Sequence, residues 1–437
     1  MKKINRLFCL ALCFLIIFLL MAASASAAVT EAQTPISADE TQLKWSIKLG
    51  SSYRDAPSVP AVSGNYVYVM SCNMLYKLNA QNGETAKSAE MTDEPSFSYT
   101  PVLIDDGKIF CPLEDGTVQA FDKNTLSSVW IYNDSLGGQA LTPIVYYGGC
   151  IYTGFWNDEE LDANFVCLDA KTGTLKWKFT HKGGFYWSEC YVNDKYVIVG
   201  GDNSSGDVNA KGLLHCFDRL TGKLLDTAEI IGDQRSGITF SGGKLYFVTK
   251  AGYLYKTFVD SNGNFGTLNY LKLSGASTST PVIYNNRIYI GVQSQRFGGC
   301  LNVIDTEKMS LIYSASLNGY PQSEMLLSNA YESHTGKVYI YSTYNAAPGG
   351  ITVITDSIGQ TKAVTEHLYI PSEGSQSYCI SSVSVGTDGT LYYKNDSGTI
   401  FAVETIKEQP VESEKSIFKI IIEVFILVIN LIVGIFA

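Results

Sequence analysis

The chain has 437 residues, 46% of them hydrophobic, and a formal net charge of −10. A chain of that length and apolar content buries a large core, so a disordered or fibrous protein is excluded. The acidic balance repels phosphate backbones and anionic headgroups, which argues against nucleic-acid binding.

In chain order, the first segment reads as a leader. Lys2, Lys3 and Arg6 form a positive start, Leu7 to Met21 an apolar run, and Ala25-Ser26-Ala27 a small-residue cleavage site, so residues 1–27 are expected to be removed on export. The alternative is an uncleaved N-terminal anchor. Cys9 and Cys13 lie within the apolar run, too early for a lipid-modified cysteine at the junction. Next, Gln42 to Leu49 (QLKWSIKL) reads as the closing strand of a repeat with no repeat before it.

From there one pattern recurs. It is clearest at Phe165 to Phe179, FVCLDAKTGTLKWKF: an alternating strand, a polar turn, and a second strand carrying Trp177. Asp169 accepts hydrogen bonds from the turn backbone, and Gly173 supplies the left-handed residue that closes it. Variants sit at Leu75–Glu84, Val118–Trp130, Leu214–Leu225, Leu301–Tyr313 and Ile400–Glu408. The aligned positions, Asn79, Asp122, Asp169, Asp218, Asp305, Thr355 and Glu404, recur at roughly 45–50 residues, or about twice that across a degenerate copy near Gly237–Leu273. Two further strands precede each copy, as in Thr100–Gly116 and Thr280–Val292, and four short strands make one propeller blade. The copies number roughly eight. The last, Ile380 to Glu404, has three strands, so Gln42–Leu49 is expected to supply its fourth and close the ring. The expected fold is therefore an all-β, eight-bladed propeller of four-stranded blades over residues 42–405.

The run Asp169–Trp177, D-A-K-T-G-T-L-K-W, resembles the pyrroloquinoline-quinone-type (quinoprotein-like) propeller repeat, in which a tryptophan of one blade packs on the next. The resemblance covers about Gln42 to Glu404 and assigns Trp45, Trp130, Trp177, Asp169, Gly173, Asp218 and Gly222 to blade packing. Enzymes of that family use an adjacent cysteine pair, calcium ligands and a catalytic aspartate. The chain has no adjacent cysteine pair, so no catalytic residue and no cofactor, quinone included, is carried over. The eight cysteines after the leader each lie in or beside a predicted strand and are expected as buried thiols; export leaves disulfides open.

Metal signals are sparse. Asp260, Asn262 and Asn264 alternate as calcium ligands do, without a glutamate at the twelfth position, and Asp202–Asp207 is similar; both are read as turns. The four histidines show no zinc spacing. The longer loops join the second and third strands of blades, at Gly154–Asn164, Gly201–Gly212, Gln293–Gly299 and Thr343–Gly350. Strand parity puts the first of these on the same face as the loop Thr180–Ser188. Together they carry the expected ligand site, Trp156 and Trp187 with Phe155, Tyr186 and Glu189; the alternative is that these rings pack beneath the loops.

After a linker at 406–416, Ile417 to Phe436 is almost wholly apolar and about long enough to cross a bilayer, with an interfacial helix as the alternative. The sequence thus implies an exported propeller tethered to the cytoplasmic membrane, facing outward, that binds a protein or a neutral glycan. A quinone-dependent dehydrogenase and a ligand sensor signalling through the C-terminal helix are the other readings.

Overall fold

The computed structural model describes residues 28–95, 100–205, 207–294 and 298–406. The expected leader and membrane span lie outside these, and among the described residues no helix is long and apolar enough to cross a membrane.

Eight antiparallel sheets form the ring. In each, four strands (A to D) run from hub to rim, in sequence order in blades one to seven. Blades one to six span 61–90, 103–133, 145–182, 191–231, 239–272 and 282–317; blade seven spans 326–369. The degenerate copy is a complete blade five. Neighbouring A strands touch around the axis. The middle strands B and C are buried almost throughout, as in Tyr196–Gly201, because each lies between two other blades.

Blade eight closes the circle as expected. Its A to C strands are Ser384–Val385, Leu391–Lys394 and Thr399–Thr405, and its D strand is Thr41–Lys48, paired antiparallel with Thr399–Thr405. Both edges of the ring are thereby paired.

Blade seven departs from expectation. A fifth strand, Val29–Thr30, adds in parallel to the hub edge of its A strand, Leu326–Ser328. From there the chain runs outward between blades seven and eight. The Thr34 hydroxyl is 2.6 Å from the Tyr341 hydroxyl, Tyr331 donates to Thr34 O at 2.8 Å and Tyr341 to Pro35 O at 2.9 Å, before the chain reaches the rim as Thr41–Lys48. The folded region therefore begins well ahead of residue 42.

The blade joints at the rim follow the tryptophan positions. A register shift precedes Trp45, Trp130 and Trp177, leaving Lys44, Val129 and Lys176 as the extra residues, and this bulge turns each indole toward the next blade. Trp130 Nε1 donates to Ala170 O at 3.1 Å, Trp177 Nε1 to Arg219 O at 3.0 Å, and Trp45 Nε1 to Ala80 O at 3.0 Å. The ring lies flat on a turn glycine. A Cβ at Gly173 would sit 2.6 Å from the Trp130 ring, and one at Gly222 2.5 Å from Trp177. Glycine is required there twice over, for the contact and for a φ of +72° and +69° respectively. Where blade one lacks the tryptophan, Leu126 of blade two takes the glycine position at φ 53° and fills the gap against Tyr68 and Met91. In the turns, Asp169 Oδ1 accepts from Lys171 N and Thr172 N at 3.1 and 3.0 Å, and Asp218 Oδ1 from Thr221 N at 2.8 Å.

At the hub the joints are hydroxyls. Thr142 donates to Phe185 O at 2.8 Å, Ser188 to Gln234 O at 2.6 Å, and Thr278 to Gln322 O at 2.9 Å, each reaching the next blade's entry loop. The cysteines from Cys111 onward are free and buried, whereas Cys72 is exposed because it occupies a hairpin turn at φ 50°.

Candidate functional site

The expected site residues lie where two loops meet at the mouth of the hub. The loop 155–161 of blade three packs against the loop 183–190 that leads into blade four. Phe155 N donates to Asn164 O at 2.9 Å, and Phe185 N donates to Phe155 O at 3.0 Å. A Cβ on Gly154 would meet the Phe185 side chain at 2.6 Å, and one on Gly184 would meet Phe155 O at 2.8 Å, so the loops are in close contact. Phe155 and Phe185 are fully buried. Phe155 is thus a supporting core residue, enclosed beneath the loop, and does not reach a ligand surface.

The other rings stay partly open. Trp156 is fixed by backbone bonds to Gln139 in both directions, 2.7 and 3.0 Å long. Its indole meets Tyr186 edge-on with centroids 5.1 Å apart, and Tyr186 meets Trp187 in the same way at 4.9 Å. Trp187 adopts φ 56°, an uncommon conformation for a bulky residue, and contributes to the lining of the hub cavity.

Arg235 and Asp233, which sequence reasoning did not select, join this cluster together with Asp202, which it read as a turn residue. The Arg235 guanidinium lies 4.4 Å from the Tyr186 ring centre, a cation–π contact, and its Nη2 donates to Asp202 Oδ2 at 2.7 Å. Asp233 is 3.7 Å from the same guanidinium. Burial pushes the Asp202 carboxyl up, against the pull of Arg235, and Asp233 adds to the rise. Asp202 is a turn residue by its sequence context, but its side chain is directed inward and is 2% exposed. Asp260 does behave as a turn residue, its Oδ1 accepting from Asn262 N and Asn264 N at 2.8 and 2.9 Å. Among the described residues, three buried polar atoms near Tyr186 have no hydrogen-bond partner: Trp156 Nε1, Arg235 Nε and Asp202 Oδ1. Beside them, His181 Nε2 is 2.9 Å from Asp202 O, and burial holds the His181 ring below its ordinary pKa.

Behind the mouth lies a cavity of about 490 Å³ lined by residues from all eight blades, with a second of about 380 Å³ beside it. Glu189 faces both. Burial, reinforced by Glu324, pushes its carboxyl up to about 8. The cluster therefore offers two partly open indoles beside a carboxyl-lined cavity. Among the described residues, no group of three or more His, Cys, Asp or Glu side chains is placed to hold a metal ion.

Eight blades built on four strands each, with three rim joints closed by a tryptophan over a turn glycine, define a pyrroloquinoline-quinone-type β-propeller. The family described as outer membrane protein assembly factor BamB matches residues 34–256 and 161–409, and the chain belongs to that family. No curated protein matches it. Among solved structures, BamB from Moraxella catarrhalis is 15% identical, with a TM-score of 0.58 over 83% of this chain and 99% of that one. Quinohemoprotein alcohol dehydrogenase from Comamonas testosteroni is 12% identical, with a TM-score of 0.65 over 87% and 79%. A europium-containing methanol dehydrogenase is 13% identical, with a TM-score of 0.59 over 84% and 86%. At these identities the likeness is one of fold, shared by a BamB protein and by enzymes.

Proposed function

We propose that the protein is an exported, membrane-tethered propeller that works as a non-enzymatic binding or assembly scaffold, and that it takes a segment of a partner protein at the hub mouth. The observation that carries this reading is the convergence on Tyr186 of two partly open indoles, Trp156 and Trp187, and the Arg235 guanidinium. A peptide segment supplies an apolar side chain for the partly open rings of Trp156, Tyr186 and Trp187. The exposed Asp158 and Glu160 beside Trp156 favour a basic flank on that segment. Membership of the BamB family supports a protein partner over a neutral glycan, and the apolar stretch at 417–436 supports the tether.

The test is affinity capture from detergent-solubilised membranes, followed by binding of the captured partner to purified variants. Trp156→Ala and Trp187→Ala are expected to weaken binding by about 2 kcal/mol or more each while leaving the melting temperature nearly unchanged. Lowered melting with unaltered binding would instead assign the rings to loop packing. The fold likeness to quinoprotein dehydrogenases motivates one parallel assay: dye reduction after adding quinone and calcium would replace the scaffold reading with an enzymatic one.

A further inference from the structure

The start of the described chain lies inside the hub. Leu327 N donates to Ala28 O at 2.6 Å, and Val29 and Thr30 pair in parallel with Leu327 and Ser328. Parallel register sets Ala28 level with Leu326, so its amino side is directed back along the neighbouring strand toward Glu324. Ala28, Glu189 and Glu324 each line both hub cavities. The two carboxyls come from opposite parts of the ring, Glu189 before blade four and Glu324 before blade seven, and repel one another. Among the described residues, the only other charged side chain lining the larger cavity is Arg235, which is engaged by Asp202 and Asp233. Among the described residues, too, no ion pair reaches Glu189.

We propose that cleavage between Ala27 and Ala28 creates an α-ammonium group that stays in the hub and pairs with the carboxylates of Glu189 and Glu324, so that the mature N-terminus is the channel's own cationic ligand. This rests on the proposed export of the chain. In the cleavage, water adds across the Ala27–Ala28 peptide bond; the leader leaves with a carboxylate on Ala27, and the amine of Ala28 takes up a proton. Folding then carries that amine inward, because the residues that follow it are fixed between blades seven and eight. The pairing joins both ends of the folding problem: the strand that closes the ring at the rim, Thr41–Lys48, is continuous with the segment held at the hub.

The full chain, produced with its leader and exported, provides the test. Mass spectrometry of the N-terminus is expected to give Ala28 as the first residue. Acylation of that α-amine by an N-hydroxysuccinimide ester at neutral pH is expected to be at least tenfold slower in the native protein than in denaturant. Glu189→Gln combined with Glu324→Gln is expected to raise the native rate severalfold, since the carboxylates keep the amine protonated; steric shielding alone would leave that rate unchanged. An N-terminus other than Ala28 would overturn the proposal and leave the partner-binding assay at Trp156 and Trp187 unaffected. Equal native and denatured rates, or a rate indifferent to the double substitution, would also overturn it. So would a rise in melting temperature on adding spermine or calcium to the processed protein that the double variant lacks, because the carboxylates would then be receiving a cation from outside.

Discussion

The rim and the hub of this propeller are joined by different chemistry. At the rim, Trp45, Trp130 and Trp177 each cover a glycine turn of the next blade and donate one hydrogen bond to its backbone. At the hub, short hydroxyl side chains such as Thr142 and Ser188 make the link, and the space they leave is the cavity. The rim joint buries a large ring and tolerates no added atom. The hub joint is thin, which leaves the entry loops free to carry Trp187, Glu189, Arg235 and Glu324 inward. Rigidity is thus concentrated at large radius and polar function at small radius.

The largest effect is expected where the rim joint also closes the ring. Trp45 is 8% exposed and packs with Tyr392 at 5.8 Å between ring centres, so Trp45→Ala should cost about 3–5 kcal/mol by urea denaturation. Removing Thr41–Lys48 altogether should expose the edge of Thr399–Thr405, with faster limited proteolysis around Leu391–Val403. Unchanged protection there would mean that the ring holds without its closing strand.

The same contrast governs what could be read from the sequence. The rim joint is legible because it is local: an aspartate, a glycine and a tryptophan within the short run Asp169 to Trp177 announce the turn, its φ > 0 position and the packing ring together. The ring closure follows from one unpaired strand at each end. The aromatic members of the mouth are legible as loop residues, but Phe155 and Trp156 are neighbours of opposite fate, and only the strand geometry sends one inward. Arg235 escapes sequence reasoning because its partner Asp202 lies 33 residues away in a stretch rich in turn residues. Val29–Thr30 escapes it because two residues carry no periodicity, and their pairing is to a strand near the other end of the chain.

A pair of glycines sharpens the account of the rim. Gly107 has φ +70°, with nothing within 4 Å of where a Cβ would stand, whereas Gly173 has φ +72° with the Trp130 ring at 2.6 Å. Gly107→Ala should therefore cost only the left-handed strain, about 1 kcal/mol. Gly173→Ala should cost that and a further ~1–3 kcal/mol of overpacking. If the excess comes from the indole, it should shrink when Trp130→Ala is present as well, which a double-mutant cycle reads directly. Equal costs at the two glycines would remove the tryptophan contact as the reason for Gly173.

The smallest effect is expected at the hub, and there its sign matters more than its size. The Glu189 carboxyl faces Glu324 across the cavity, with Arg235 turned to its own carboxylates, and burial together with Glu324 raises it to about 8 from an ordinary value near 4.5. A carboxyl raised on folding contributes stability that is complete below its unfolded value and is lost as pH climbs to its folded one. In a chain whose cleavage is blocked by Ala25→Leu with Ala27→Leu, stability should accordingly fall between about pH 4.5 and pH 8, and Glu189→Gln should flatten that fall. Because the cavity retains contact with solvent, the difference should be only on the order of 1 kcal/mol at about pH 8. In the processed protein the α-ammonium of Ala28 reverses the balance. The ionised carboxylate is then the paired form, the fall with pH disappears, and Glu189→Gln becomes destabilising at about neutral pH. Paired melting curves of the two chains, each with and without the substitution, decide the matter: a substitution that stabilises both would show that no cation reaches Glu189 from the N-terminus.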